Sequence, residues 1–88
     1  MLSYKFLVTG RVQGVYYRAN VSKNAKKSGF NGYVRNLDDG RVEAVVSCTL
    51  GQLQTFVALL KKGSPLSRVD KIEQFEIEER YTNGFSVR

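Results

Sequence analysis

The stretch Thr9-Gly-Arg-Val-Gln-Gly-Val-Tyr-Tyr-Arg18 constrains the fold more than any other, because the hydrophobic period changes across it. Upstream, Tyr4, Phe6 and Val8 recur at a spacing of two with β-favouring side chains, which predicts a strand over 3–9. Downstream, Tyr17, Val21, Ala25 and Ser28 form a helical stripe that starts near Tyr16, with Lys26 and Lys27 in the last turn and Gly29 placed as the C′ residue. Gly10 and Gly14 lie between the two periods. A strand that turns through glycines into a helix can bring successive N–H groups and the positive end of the helix to one point, which suits an anion. Arg18 adds a planar fork of donors that matches two phosphoryl oxygens. It is not a Walker loop, since no Gly-Lys-Ser/Thr follows. Taken alone, the pattern also fits a tight strand-to-helix turn with a solvated arginine.

The remaining chain supplies five more elements. Gly32-Tyr-Val-Arg-Asn36 and Arg41-Val-Glu-Ala-Val-Val-Ser-Cys48 read as strands joined by Leu37-Asp-Asp-Gly40, whose Asp-Gly predicts a hairpin. Val42, Ala44, Val46 and Cys48 share one face of the second of these strands. Thr49 and Gln52 have the spacing of a capping box, and Leu53, Phe56, Val57 and Leu60 follow at helical intervals until Lys61-Lys-Gly63 and Ser64-Pro65 close the helix. Over 68–79, Val69, Phe75 and Ile77 are in one phase and Ile72 in the other, so this strand is expected to contain a bulge or to start late. Tyr81-Thr-Asn-Gly84 reads as a turn, and Phe85 and Val87 as a short last strand whose sheet edge the pattern leaves open.

The order β-α-β-β-α-β predicts a ferredoxin-like α+β sandwich, with two helices on one face of a mostly antiparallel sheet. Its first two strands, joined by a crossover helix, should run parallel. Asn36, at the end of the second, is thereby brought toward Arg18.

Eighty-eight residues suffice for one two-layer core, so a single domain over 1–88 is expected. No apolar run reaches membrane-span length and the start lacks a secretory h-region, which points to the cytoplasm. With no histidine and one cysteine, Ser-His-Asp and Cys-His catalysis, histidine-ligated metals and Cys-x-x-Cys redox chemistry are excluded. The net charge of +6 is concentrated in residues 1–63, which hold ten basic and three acidic side chains, and it favours anionic ligands.

In order and spacing, Gly10-Arg-Val-Gln-Gly-Val-Tyr-Tyr-Arg18, Gly32-Tyr-Val-Arg-Asn36, Asp39-Gly-Arg-Val-Glu43, Gly63-Ser-Pro65 and Phe85-Ser-Val87 resemble the acylphosphatase family over nearly the whole chain. The first two blocks are the specific ones. The resemblance implies a metal-independent hydrolase that needs no cofactor and cleaves a small-molecule acyl phosphate to a carboxylate and inorganic phosphate, the latter also an inhibitor. It further implies that Arg18 and the backbone N–H groups of Gln13, Gly14, Val15, Tyr16 and Tyr17 bind the phosphate, and that Asn36 orients the attacking water. Tyr16 and Tyr17 stand where many members have Gly-Phe or Phe-Phe, and Gly32-Tyr33 replaces a frequent Gly-Trp, which bears on substrate preference.

The chemistry agrees with the absence of histidine. A carboxylate leaving group, from an acid of pKa about 4, departs without a general acid. Other residues have simpler readings: Asp38 and Asp39 as turn formers, Cys48 as a core thiol, and Lys23, Lys26 and Lys27 as a solvated helix face. Outside such a site Asn36 would be an asparagine entering a turn. Tyr33, Arg35 and Arg41 could form an aromatic and basic surface for single-stranded nucleic acid. Strand 41–48 offers no aromatic on either face, however, so no nucleic-acid partner is expected. An anion-binding module without turnover is a third reading. No feature demands an oligomer, and a monomer is expected.

Overall fold

The change of period at the glycine loop is the first corner of the fold. In the computed structural model, which describes residues 2–88, the chain forms β1 (Leu2–Arg11), α1 (Tyr17–Lys27), β2 (Asn31–Asn36), β3 (Val42–Cys48), α2 (Leu50–Lys62), β4 (Arg68–Ile77) and β5 (Phe85–Val87). The strand order is β4-β1-β3-β2-β5. β1 pairs antiparallel with β3 and β4, β2 antiparallel with β3, and β5 parallel with β2. This is the expected ferredoxin-like sandwich. β1 and β2 run the same way with β3 between them, so the loop after β1 and the end of β2 share one end of the sheet.

Both helices lie on one face. Tyr17, Val21 and Ala25 of α1 and Phe56 and Leu60 of α2 bury against Phe6, Val8, Val34, Val42, Ala44 and Val46. Phe56 is the hub, with ring centroids 5.6 Å from Phe6, 5.2 Å from Phe30 and 5.9 Å from Phe85. Thr49 and Gln52 close the expected capping box. α1 ends in a Schellman turn: Gly29, at φ 76°, donates to the Lys26 carbonyl, and the Phe30 N–H donates to that of Ala25. Ser28, expected on the apolar stripe, is instead the exposed C-cap. Ser22 completes the buried face.

β4 contains the bulge expected from the out-of-phase Ile72. The register slips between Thr9 and Gly10, which pair with Lys71 and Val69 and leave Asp70 as the extra residue. That bulge inverts the alternation, so Val69 and Ile72 both pack on the core, whereas Phe75 faces away from the helices and is 43% exposed. Gly10 belongs to the same feature. A Cβ there would run into the Arg68 carbonyl, and its φ of 143° disfavours other residues.

β5 joins β2, at the edge opposite β4. The segment between them must therefore cross the sheet, and it does so on the helix-free face, where the Tyr81 N–H donates to Ser47 Oγ at 2.8 Å and the Tyr81 ring meets Tyr33 edge-on at 5.5 Å. Tyr81 of this strap covers Ser47 and Glu43 is held by Tyr33 and Arg35 of β2, while the alternate residues face the helices, so every residue of β3 is buried.

Candidate active site

Past Arg11 the chain leaves the sheet, and Val12 and Val15 turn inward, each at most 3% exposed, while Gly14 and Tyr16 face out. Polar ties hold the loop from two sides. The Ser64 hydroxyl, just beyond α2, donates to the Val15 carbonyl, and Gln13 Nε2 donates to the carbonyls of Leu37 at 2.7 Å and Arg41 at 2.9 Å. Beneath the loop, the buried Tyr17 hydroxyl donates to the Leu60 carbonyl in the last turn of α2. Burial pushes this phenol well above its ordinary pKa, so it stays a donor.

Gly14 at φ 73° and Tyr16 at φ 64° both adopt the left-handed conformation. For a tyrosine this costs about 1–2 kcal/mol. Asn20 supports it, since its N–H and its Nδ2 both donate to the Tyr16 carbonyl, at 3.1 and 2.9 Å. Among the described residues, no N–H from Gln13 to Arg18 is used in a hydrogen bond within the protein. The first turn of α1 has neither a side-chain cap nor an acidic residue, so this chain leaves the positive end of the helix uncompensated. These unpaired N–H groups and the uncompensated helix start suit an anion.

Arg18 lies one residue into α1. Its Nη1 donates to the Arg88 main-chain oxygen at 3.1 Å. Arg35, Arg41 and Arg68 each bind a carboxylate, of Glu43, Asp39 and Asp70 respectively, whereas Arg18 has no ion-pair partner among the described residues. Asn36 ends β2 on the face of Val34, toward the helices. Its Oδ1 is buried without a hydrogen-bond partner among the described residues.

Arg18 is tied to β2 through Arg88, just past β5: the Arg88 N–H donates to the Val34 carbonyl, and the Arg88 oxygen accepts from Arg18. A cleft of about 420 Å³ opens beside the arginine, bounded by Gly14, Tyr16, Arg18, Ala19 and Val87. Of the expected site residues, Gly14, Tyr16, Tyr17 and Arg18 line this cleft, whereas Gln13, Val15 and Asn36 do not; Val15 is buried, the Gln13 side chain reaches the hairpin, and Asn36 lies at the same end of the sheet because β1 and β2 run the same way. The ties through Gln13, Ser64 and Arg88 join residues 24, 49 and 70 positions apart and leave no local sequence signal.

The other candidates have structural surroundings. Asp39 accepts from the N–H and side chain of Arg41, and these bonds, the side-chain one foremost, hold its carboxyl below the usual range. Cys48 is buried, and burial raises its thiol pKa, which makes it a poor nucleophile. Tyr33 is covered by the Arg88 guanidinium, 3.8 Å from the ring centroid, and its hydroxyl donates to Glu43 at 2.6 Å. Its face is not free to stack a base.

A two-layer α+β sandwich with a glycine loop of unpaired N–H groups, an arginine without an acidic side-chain partner and a buried amide at one sheet end defines the class, a small α+β protein with a site suited to an anion. Comparison with known proteins makes the class specific. The acylphosphatase family model matches residues 4–87. The chain is 42% identical to an acylphosphatase of Methanocella arvoryzae over 88 residues, all of both chains. It is 43% identical to one of Natronomonas pharaonis over 81 residues, 92% of this chain and 88% of that one. It superposes on the crystal structure of an acylphosphatase from Bacillus subtilis with a TM-score of 0.89 and 42% identity, covering 100% of this chain and 99% of that one. The chain belongs to the acylphosphatase family and is a hydrolase of the acyl phosphate bond.

Proposed function

We propose that Arg18 and the backbone N–H groups of Gln13, Gly14, Val15, Tyr16 and Tyr17 bind the phosphoryl group of a small acyl phosphate, and that Asn36 orients the water that attacks it. The water oxygen bonds to phosphorus as the bond from phosphorus to the acyl oxygen breaks, and the carboxylate leaves with the electron pair. One water proton stays on the attacking oxygen and the other ends on a phosphoryl oxygen, giving RCOO⁻ and H₂PO₄⁻ from RCO–OPO₃²⁻ and water. Donors already oriented before reaction stabilise charge on the phosphoryl oxygens without reorganising. The leaving carboxylate needs no proton.

The observation that carries this reading is the unpartnered, buried Asn36 Oδ1 at the loop end of the sheet. Leaving such an atom unpaired costs about 1–3 kcal/mol, and a water held for in-line attack would both satisfy it and use it. The enzyme is further proposed to act as a cytoplasmic monomer, with residues 1–88 as one domain and no nucleic-acid partner. Among the described residues no helix is long and apolar enough to cross a membrane.

The direct test is release of inorganic phosphate from acetyl phosphate in excess chelator, with added phosphate as a competing ligand. Wild type is expected to turn over and to be inhibited by phosphate, and Arg18→Ala to lose both properties. Turnover by Arg18→Ala within tenfold of wild type would contradict the assignment.

A further inference from the structure

Gln13 has one side-chain amide and spends its nitrogen entirely on the opposite half of the site. Nε2 donates to the Leu37 carbonyl at 2.7 Å and to the Arg41 carbonyl at 2.9 Å. Those carbonyls flank the turn that directly follows Asn36, and each already has a backbone donor: Gly40 N–H reaches Leu37 O at 3.2 Å, and Leu37 N–H reaches Arg41 O at 2.8 Å. The hairpin therefore does not depend on Gln13 for closure. What the glutamine adds is a strut between the loop and the end of β2, which are otherwise held apart by β3 in the sheet.

We infer that Gln13 is a positioning residue for hydrolysis, whose side chain sets the distance between the phosphate-holding loop and Asn36. The inference rests on the proposed division of labour and deepens it. The loop and Asn36 reside on different elements, and in-line attack tolerates little error: a misplacement of about 1 Å can cost about a hundredfold in rate. Val15 and Ser64 anchor the loop from the α2 side, and Gly14 and Tyr16 shape it. None of these contacts addresses the hairpin. The two bonds from Gln13 do, and their acceptors are the carbonyl next to Asn36 and the one that closes the turn.

The test is a double-mutant cycle. Gln13→Leu removes both donors at similar volume and leaves both carbonyls their backbone partners. It is expected to lower kcat for acetyl phosphate about tenfold, to change the inhibition constant of inorganic phosphate less than threefold, and to leave the urea midpoint near that of wild type. In an Asn36→Ala background the same substitution is expected to lower kcat less than twofold, because there is no longer a positioned water to misplace. A penalty that persists undiminished in Asn36→Ala overturns the inference, as does a phosphate affinity that falls in step with kcat, since Gln13 would then act on the anion seat alone. Wild-type turnover in Asn36→Ala by itself would instead sink the water-orienting role, and the strut with it. A stabilised Gln13→Leu variant carrying a substitution outside the site keeps the cycle readable if the single variant folds poorly.

Discussion

The loop end of the sheet and its strapped, helix-free face contain the same chemical types, arginine, tyrosine and amides, yet treat them in opposite ways. On the strapped face nearly every polar group is paired: Glu43 accepts from Tyr33 and twice from Arg35, Ser3 and Ser47 share a hydrogen bond, and the strap adds the Tyr81 N–H to Ser47. At the loop end, a row of N–H groups, a helix start, Arg18 and Asn36 Oδ1 carry polar capacity that the protein itself does not consume. Residue type does not separate the two regions. Satisfaction does: a buried polar group with all its partners stabilises the fold, and one left without them is free for a ligand.

Substitutions in the two regions should therefore separate activity from stability. The largest effect is expected for Arg18→Lys, which keeps the charge but loses the fork: turnover of acetyl phosphate should fall about 10³-fold with the urea midpoint little changed. Glu43→Gln should do the reverse, costing about 2 kcal/mol in urea unfolding while kcat stays within twofold of wild type.

That loss should also depend on pH. Burial opposes ionisation of Glu43, but hydrogen bonds from Arg35 and Tyr33 and the Arg35 charge outweigh it and hold the carboxyl below its usual range. Its stabilisation is fully present above the ordinary glutamate pKa of about 4.3 and is lost as pH falls through the lower, folded value. The gap between wild type and Glu43→Gln should therefore be constant at neutral pH and shrink below about pH 4. A gap that widens in acid would reverse the sign of the argument. A smaller change is expected for Tyr17→Phe, which removes the donor to the buried Leu60 carbonyl: about 1 kcal/mol, read as a melting temperature lower by about 4–8 °C.

The fold was legible because its signals are local. Tyr4, Phe6 and Val8, the Asp39-Gly40 turn and the Thr49 to Gln52 box each declare an element within a few residues. Arg18 and the glycine loop were legible for the same reason, and Asn36 because the shared direction of the first two strands follows from a crossover helix. The inward phase of Ile72 was hidden, since an extra residue at Asp70 inverts the alternation and only pairing with Thr9 and Gly10 reveals where it lies. The burial of Ser47 was hidden too, because the edge chosen by β5 decides that the strap crosses over it. Gln13 was visible as part of a loop, but its side-chain partners lie beyond a helix and a strand.

The central claim is that binding the phosphate and guiding the water belong to different residues. The measurement that tests it most directly is kcat for acetyl phosphate in Asn36→Ala, in excess chelator, alongside its inhibition constant for inorganic phosphate. The account predicts a kcat about 10²-fold below wild type with phosphate inhibition within threefold. Turnover equal to wild type, or phosphate inhibition lost together with turnover, would contradict it.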